Sequence, residues 1–339
     1  MATLKDIALR TGVSVRAVSY AVNGGGHLSP ETRARIMEEV KRCGYVPNAA
    51  ARALVTQKSG LIGVLLPFLD VSFYSQIIAG LERTAQKYGY TLLLMNLPDS
   101  SEKYISCYLQ MMQHKIDGLI VNPAMMGSEE VEFIRSSNIP VVQLMNHVEA
   151  LGGCYVNVGN LEAGRKAAEA LVKSNCRKIA MLAHNNNSPE MTERTAGFSA
   201  AMQELMPDFV PPVVDCKVLA ADAEAKCLQL LTEHPETDAV FAASDYAALG
   251  AARAALSMGK KIPDEFSIIG FDDISLASEQ LLYPFSTIAQ PKEEIGWIAG
   301  KMMIDLINGK HPKSQTLEAT LVLRSTTRND AFAGVPEKK

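Results

Sequence analysis

The fold of the amino-terminal part is decided by residues 3–23, which read TLKDIALRTGVSVRAVSYAVN. Thr3 and Asp6 have the spacing of a capping box, in which two side chains bond free backbone N–H groups at the start of a helix. Gly12 stops this helix and allows a tight turn. Ser14 then caps a second helix over Val15–Asn23. Two short helices joined by a turn that contains glycine predict a helix-turn-helix motif.

A third helix follows the loop Gly24-Gly25-Gly26. It opens at Ser29, with Pro30 in the first helical position, and closes at Gly44. Apolar side chains recur at helical spacing in all three segments. They are Leu4, Ile7, Ala8, Val18, Ala21, Val22, Ile36, Met37 and Val40. From spacing alone, a three-helix bundle without a nucleic-acid role is the alternative.

The two parts of the chain differ in charge. Residues 1–59 carry nine Lys and Arg residues against four Asp and Glu residues, whereas the whole chain of 339 residues has a net charge of −4. A small basic unit on an acidic body predicts that the basic unit meets a polyanion. The second helix of the motif would then lie in the major groove of DNA, where its first turn reaches base edges.

Side chains of suitable chemistry lie on that second helix. Arg16, in its first turn, can donate a fork of hydrogen bonds to guanine. Ser14 and Ser19 suit phosphate oxygens. The side chains that we expect to face away from the core are Arg16, Ala17, Ser19, Tyr20 and Asn23.

Residues 60–330 alternate between strand-like and helical patterns. The strand-like runs are 61–66, 91–95, 118–121, 141–145, 178–183, 239–243, 267–271 and 287–290. Such alternation predicts doubly wound parallel sheets. Because similar helix-to-strand junctions occur at 115–121 and 236–241, we expect two lobes with a cleft between them. Ligands of such sheets bind beyond the carboxyl ends of the strands.

The common enzyme motifs are absent from the sequence: there is no phosphate-binding loop, no G-x-G-x-x-G after a strand, no nucleophile elbow and no H-E-x-x-H. The six cysteines and six histidines are scattered, so we expect neither metal nor cofactor. His147, Asp245 and Asp272 each follow a predicted strand at its carboxyl end. Carboxylates there can accept hydrogen bonds from ligand hydroxyls, although Asp245 can instead cap the next helix.

The chain resembles the lactose-repressor (LacI/GalR) family over nearly its whole length. The amino-terminal block that carries this resemblance runs from Leu4-Lys5-Asp6-Ile7-Ala8 through Gly44-Tyr45-Val46-Pro47-Asn48 to Leu54. Further matches in the body include Asp117-Gly118-Leu119-Ile120, Ser244-Asp245 and Gly270-Phe271-Asp272-Asp273. The resemblance implies a dimeric, non-enzymatic repressor with a helix-turn-helix domain and a two-lobed body like periplasmic sugar-binding proteins.

For DNA binding, the resemblance implies a pseudo-palindromic operator and adds residues to those suggested by the second helix itself. Val15, Arg16 and Tyr20 match the positions that read the major groove. Residues 48–54 match a hinge helix that orders on the operator, with Ala51 at its minor-groove contact and Leu54 as the wedge between base pairs. A flexible linker is the alternative for this segment. The full predicted DNA-binding set is Ser14, Val15, Arg16, Ser19, Tyr20, Asn23, Asn48, Ala51 and Leu54.

In the cleft, the resemblance implies aromatic effector contacts at Phe73 and Tyr74. It implies polar contacts at Asn122, Asn146, Arg194 and Asp272, to which His147 and Asp245 are added as strand-end residues. The sequence departs from the family pattern at Val158-Gly159, at Val218 and within 279–283. The expected effector is a sugar or sugar derivative, with a purine as the alternative.

The predicted domains are a helix-turn-helix domain over 1–46, a hinge helix and linker over 47–59, and a body over 60–330. Within the body, the first lobe covers about 60–158 and 290–319, and the second covers about 159–289 and 320–330. The tail 331–339 lacks leucine heptads, so no tetramerising coiled coil is expected. The rival interpretations are a transport-type sugar-binding protein and a Rossmann-like enzyme. Without a signal segment or a run of ~18 apolar residues, we expect a cytoplasmic protein without membrane contact.

Overall fold

The computed structural model describes residues 2–23, 26–45, 58–67, 72–97, 102–124, 126–184, 188–274 and 284–328. It divides into two compact units, 1–59 and 60–339. The predicted hinge residues Asn48, Ala51 and Leu54 lie outside the described residues, as do 279–283 and the tail. Among the helices that are described, none combines the length and the apolar character needed to cross a membrane.

The amino-terminal unit contains the predicted helices α1 (Leu4–Thr11), α2 (Val15–Asn23) and α3 (Pro30–Arg42). The capping box at α1 is confirmed, because Thr3 accepts from the Asp6 N–H and Asp6 accepts from the Thr3 N–H at 2.8 Å. Gly12 takes the left-handed conformation with φ of 67°, which a side chain would strain.

The capping predicted for α2 and α3 is also confirmed. The Ser14 hydroxyl accepts from the Ala17 N–H at 3.1 Å, and the Ser29 hydroxyl accepts from the Thr32 N–H at 3.2 Å. The helix α3 ends at Arg42, two residues before the predicted Gly44. The core of the unit is formed by fully buried Ile7, Val18 and Ile36. The predicted apolar residues Leu4, Ala8, Ala21, Val22 and Val40 pack around them, whereas Met37 is not part of this cluster.

The first lobe of the body is built on a parallel sheet with the order β11-β5-β4-β3-β1-β2. Its strands are β1 (Leu61–Pro67), β2 (Thr91–Leu97), β3 (Gly118–Val121), β4 (Val141–Leu144), β5 (Cys154–Val158) and β11 (Gln315–Leu317). Its helices are α4 (Phe73–Lys87), α5 (Glu102–Gln113), α6 (Ser128–Ser136) and α11 (Lys292–Ile307).

The second lobe is built on a sheet with the order β12-β10-β9-β8-β6-β7. Its strands are β6 (Ile179–His184), β7 (Val213–Cys216), β8 (Ala239–Ala242), β9 (Ser267–Phe271), β10 (Ser286–Ala289) and β12 (Thr320–Val322), which runs antiparallel to β10. Its helices are α7 (Asn160–Lys173), α8 (Pro189–Leu205), α9 (Ala220–Glu233) and α10 (Asp245–Ser257).

The two predicted sheets are therefore confirmed, and every predicted strand is present within about two residues at each end. The sequence patterns missed β5, β7, β11, β12 and the helix α6. The strands β7, β11 and β12 are only three or four residues long, and apart from buried Cys216 their side chains are exposed or half-buried. Alternation over so few residues gives no usable periodic signal.

The backbone passes between the two sheets at three places. It crosses between β5 and α7 at residues 158–160, between β10 and α11 at 289–292, and between β11 and β12 at 317–320. The last crossing is supported by Lys166, whose ammonium group donates to the Ala319 carbonyl at 3.0 Å. Each lobe thus has its own sheet, and three neighbouring chain segments connect the two lobes.

Glycines set the close approach of α7 and α8. A Cβ atom at Gly164 would lie 2.1 Å from the Arg194 carbonyl oxygen, and one at Gly197 would lie 1.9 Å from the Leu161 carbonyl oxygen. Both distances are too short for any side chain, so the two helices touch backbone to backbone. This contact fixes the position of Arg194.

Gly197→Ala should therefore lower the free energy of unfolding by about 2 kcal/mol, because overpacking outweighs the better helix propensity of alanine. Chemical denaturation of the full-length protein measures it. Gly159→Ala is the matched control, since its Cβ would meet its nearest neighbour at an ordinary 3.8 Å. Equal stability of the two variants would contradict the close-packing argument.

Candidate functional site

Four of the predicted DNA-binding residues lie within the cap and the first two turns of α2. Ser14, Val15 and Arg16 are exposed, and Tyr20 lies one turn further along. Arg16 Nε donates to the Tyr20 hydroxyl at 2.8 Å, and its guanidinium carbon is 5.3 Å from the centre of the Tyr20 ring. The Arg16 guanidinium is thus held at the helix surface with further N–H groups to donate.

Two further predicted DNA-binding residues lie on α2 outside this exposed first turn. Ser19 is half-buried on α2, and Asn23 is the last residue of that helix. Tyr20 packs closely on the following loop, because a Cβ atom at Gly26 would lie 2.2 Å from the tyrosine ring. Glycine at that position lets the Tyr20 ring stay beside Arg16.

A cavity of about 370 Å³ lies where the carboxyl ends of the strands of both sheets meet. Five of the predicted effector residues line it: Phe73, Tyr74, Asn122, Arg194 and Asp272. The apolar lining also includes Val218, at the position where the sequence departs from the family's aromatic residue. The sequence reasoning missed the polar lining residues His184, Ser188, Glu190, Ser244, Tyr246 and Gln290.

Arg194 lies on α8 and is 5% exposed. Its Nε donates to Asn160 Oδ1 at 2.9 Å, and its Nη1 donates to the Ala243 carbonyl at 2.8 Å. Its guanidinium carbon is 3.5 Å from the centre of the Phe271 ring. Burial lowers the pKa of Arg194, although Asp272 and Glu190 oppose that shift. The side chain is thus a fixed donor in the cavity wall.

Asp272 follows β9 and has a φ of 106°, a backbone conformation that side chains rarely adopt. Its Oδ1 accepts from Gln290 Nε2 at 2.7 Å, and Lys292 Nζ donates to its backbone carbonyl. Burial raises the pKa of Asp272 to about 6, although the Arg194 guanidinium lowers it. A strained residue held by several bonds at a cavity is typical of a ligand-binding position.

The first lobe presents an aromatic and amide wall. Phe73 and Tyr74 meet edge to face, with ring centres 5.0 Å apart. Asn122 Nδ2 donates to the Tyr74 hydroxyl at 3.2 Å. Burial raises the pKa of Tyr74, so its hydroxyl stays protonated. Across the cavity, the Ser72 hydroxyl lies 3.3 Å from the Tyr246 hydroxyl, which joins the two lobes by a hydrogen bond.

Three predicted effector residues do not line the cavity. Asn146 is buried behind Asn122 and donates to its Oδ1 at 3.3 Å. His147 is exposed and stacks on Tyr155, with ring centres 4.3 Å apart. Asp245 is 1% exposed and accepts from the Thr287 hydroxyl and the Ile274 N–H at 2.7 and 2.6 Å.

Asp245 therefore holds the segment around Asp272 in place rather than facing the cavity. Burial raises its pKa to about 7, with the neighbouring Asp272 as the next cause. The cap of α10 is supplied by Ser244, whose hydroxyl accepts from the Ala247 N–H at 3.2 Å. The helix-cap alternative for Asp245 is thus replaced by a role in the loop after β9.

His184, at the end of β6, pairs with Ser244 through Nε2 and Oγ at 2.9 Å. Burial lowers the pKa of His184 to about 4, and the nearby Arg194 lowers it further. The imidazole is therefore uncharged near neutral pH. In the described ranges, no group of three His, Cys, Asp or Glu side chains is arranged to hold a metal ion.

The arrangement can bind a small polar organic molecule. Apolar and aromatic side chains form the walls, while a few fixed donors and acceptors converge from both lobes. Arg194 donates and Asp272 accepts within the second lobe, and Asn122 adds an amide from the first. Such a molecule would contact both lobes at once.

Comparisons with known proteins agree with both units. The model of bacterial regulatory proteins, lacI family, matches residues 3–48, and that of a periplasmic binding protein-like domain matches residues 168–327. The ribose operon repressor of Halalkalibacterium halodurans is 32% identical over 331 residues, which cover 97% of this chain and 98% of the relative. The HTH-type transcriptional repressor PurR of Vibrio campbellii is 30% identical over 338 residues, covering 97% and 99%.

Among solved structures, a lac repressor dimer bound to operator and the anti-inducer ONPF has the same fold. Its TM-score is 0.86 at 26% sequence identity, over 96% of this chain and 99% of that chain. The likeness extends over both the small helical unit and the two-lobed body.

Proposed function

Because this chain belongs to the LacI family of bacterial regulatory proteins, we propose that it is a repressor whose operator binding is controlled by an effector in the cavity between the lobes. The observation that carries the proposal is the recognition surface on α2, where Val15 and Arg16 are exposed at the start of a capped helix. The protein acts by binding and not by catalysis.

The DNA-binding step uses the predicted residues in distinct roles. Arg16 reads a base edge in the major groove, with Val15 and Tyr20 beside it. Ser14 and Ser19 contact phosphates. As a homodimer, the protein would place one α2 in each half of a pseudo-palindromic operator, and it would lie on the nucleoid when bound. Asn48, Ala51 and Leu54 complete the proposed contacts in the minor groove.

The effector is proposed to be a sugar or sugar derivative. Arg194 and Asp272 supply a donor and an acceptor on one side of the cavity, which suits vicinal hydroxyl groups. A ribose operon repressor is among the relatives of this chain, which supports this class. The edge-to-face pair Phe73 and Tyr74 offers an aromatic surface for a purine or nucleoside, which is the second candidate.

Regulation would follow from the position of the cavity. A molecule that contacts both lobes binds more tightly to one relative arrangement of the lobes than to another. The difference in its affinity for the two arrangements sets how far operator affinity can change. We therefore expect substitutions on either side of the cavity to alter how strongly the effector changes operator affinity.

Selection of operator sequences from a random oligonucleotide pool with the full-length protein tests the DNA-binding step. A thermal-shift screen of sugars and nucleosides then tests the effector step, with Asp272→Ala as the binding-deficient variant. We expect a two-fold symmetric motif and a stabilising compound that fails on Asp272→Ala. Failure to enrich any sequence, with or without the compounds, would refute the proposed function.

Effector affinity should fall in acid, because the pKa of Asp272 is raised to about 6. Below that pH the carboxyl group takes up a proton and loses its charge-assisted hydrogen bond to a ligand hydroxyl. We expect the dissociation constant of the compound found in the screen to be about tenfold larger at about pH 5 than at about pH 8. Isothermal titration calorimetry measures it, and a constant affinity over this range would contradict the role of Asp272.

A further inference from the structure

Two buried oxygen atoms in the cavity lining have no hydrogen-bond partner among the residues that the structure describes. They are Glu190 Oε2, in the first turn of α8, and Gln290 Oε1, just after β10. A buried acceptor without a donor costs free energy, and such atoms at a cavity mark where a ligand donor is bound. Both atoms can only accept, so a ligand group that satisfies them must carry N–H or O–H groups.

Among the described residues of the cavity lining, negative groups outnumber positive ones. Glu190 and Asp272 contribute carboxyl groups, and Arg194 contributes a guanidinium group. His184 is uncharged near neutral pH because its pKa is lowered to about 4. Lys292 lies behind the lining, where it bonds the backbone carbonyls of Asp272 and Asp273.

Arg194, the guanidinium among the described lining residues, uses two of its five N–H donors within the protein. Its Nε and Nη1 donate to Asn160 and Ala243, and its face is covered by the Phe271 ring. A phosphate group is bound most favourably where guanidinium donors lie in a net positive surrounding. With Glu190 one helical turn before Arg194 and Asp272 also in the lining, the described part of the cavity does not offer such a surrounding.

We propose that Glu190 is a specificity-determining residue, which accepts a hydrogen bond from a hydroxyl or amine group of the effector and excludes effectors that carry a phosphate or carboxylate. The effector class narrows to uncharged or amine-bearing polyhydroxylated molecules, such as free sugars, amino sugars and nucleosides. This inference rests on the proposed function insofar as the cavity is the effector site.

Matched pairs of compounds on the full-length protein test the proposal. The probes are D-ribose and D-ribose 5-phosphate, D-glucosamine and its 6-phosphate, and adenosine and its 5′-monophosphate. The variant is Glu190→Gln, which keeps the shape and removes the charge. Glu193→Gln is the control, because Glu193 is exposed on the same helix and does not line the cavity.

In the wild type, we expect the compound that binds to be the unphosphorylated member of its pair. Glu190→Gln should weaken the binding of this unphosphorylated compound about tenfold. The ratio of the protein's affinities for the unphosphorylated and the phosphorylated member should fall by a similar factor. Glu193→Gln should leave both values unchanged. Tighter binding of a phosphorylated member to the wild type, or equal behaviour of the two variants, would overturn the proposal.

Inorganic phosphate gives a second readout that does not depend on the choice of sugar. Millimolar phosphate should raise the melting temperature of Glu190→Gln more than that of Glu193→Gln, because removal of the Glu190 carboxylate leaves Arg194 and Asp272 in balance and removes the net negative charge of the described lining. Adding Arg194→Met to Glu190→Gln should abolish that gain. No difference between the two glutamine variants would overturn the proposal. A phosphorylated effector bound through Arg194 would refute the role of Glu190 alone, whereas failure to select an operator would refute the proposed function.

Discussion

Arg194→Met should weaken effector binding by about 100-fold, which corresponds to about 3 kcal/mol. The guanidinium is the fixed donor of the second lobe, and methionine has no donor to replace it. Loss of the side chain also leaves Asn160 Oδ1 and the Ala243 carbonyl without their partner, so the wall of the cavity loses its order. Calorimetric titration of the effector into the variant measures the loss.

Arg165→Met is the matched control for this prediction. Arg165 lies on α7 and pairs with Glu204 of α8 at 2.7 Å on the protein surface. The same substitution there removes an exposed ion pair, which contributes about 0–1 kcal/mol to the free energy of unfolding. Because this pair lies outside the cavity, effector affinity should not change. Wild-type effector affinity in Arg194→Met would show that the ligand binds elsewhere.

Arg16→Ala should reduce specific operator affinity by about 1–3 kcal/mol in each half-site and relax the preference at one base pair. The physical reason is the loss of a fork of donors at the start of α2, where no other long basic side chain lies on the exposed surface of that helix. Binding to random DNA should change little, since it depends on the phosphate contacts. Selection from a random pool with the variant measures both effects.

Tyr20→Phe provides the graded comparison. It keeps the ring beside Gly26 and removes the hydroxyl that accepts from Arg16 at 2.8 Å. Because it removes only the group that orients Arg16, we expect a smaller loss of affinity at the same base pair. An unchanged sequence preference in Arg16→Ala would remove Arg16 from base reading.

The amino-terminal unit could be predicted closely because its information is local. Thr3, Asp6, Gly12 and Ser14 each act within four residues along the chain, so a capping motif specifies the geometry directly. The two sheets were predictable for a similar reason, since long apolar runs mark buried parallel strands. The short edge strands depend on pairing with a distant neighbour, and nothing local marks them.

The cavity was predictable only in part because its members come from many strand ends. Arg194 was identified through the family resemblance, and Asp272 through both the resemblance and its position at a strand end, whereas the orientation of their neighbours depends on tertiary contacts. Asp245 illustrates the limit: its position at a strand end suggested a ligand contact, but its carboxyl oxygens are used by Thr287 and Ile274. Asn160 is the converse case: the sequence analysis did not single it out, yet its amide oxygen holds Arg194, directly after the departure from the family pattern at Val158-Gly159.

The three adjacent passages between the sheets also govern how this body would respond to a cut in its backbone. Cleavage of the backbone at residues 317–320 would leave the two lobes connected by the other two segments, 158–160 and 289–292. The cleaved protein should therefore stay associated in the absence of denaturant. The cleaved protein should nevertheless change shape differently when a ligand is added. Two connecting segments allow one lobe to twist relative to the other, whereas three adjacent segments prevent that twist.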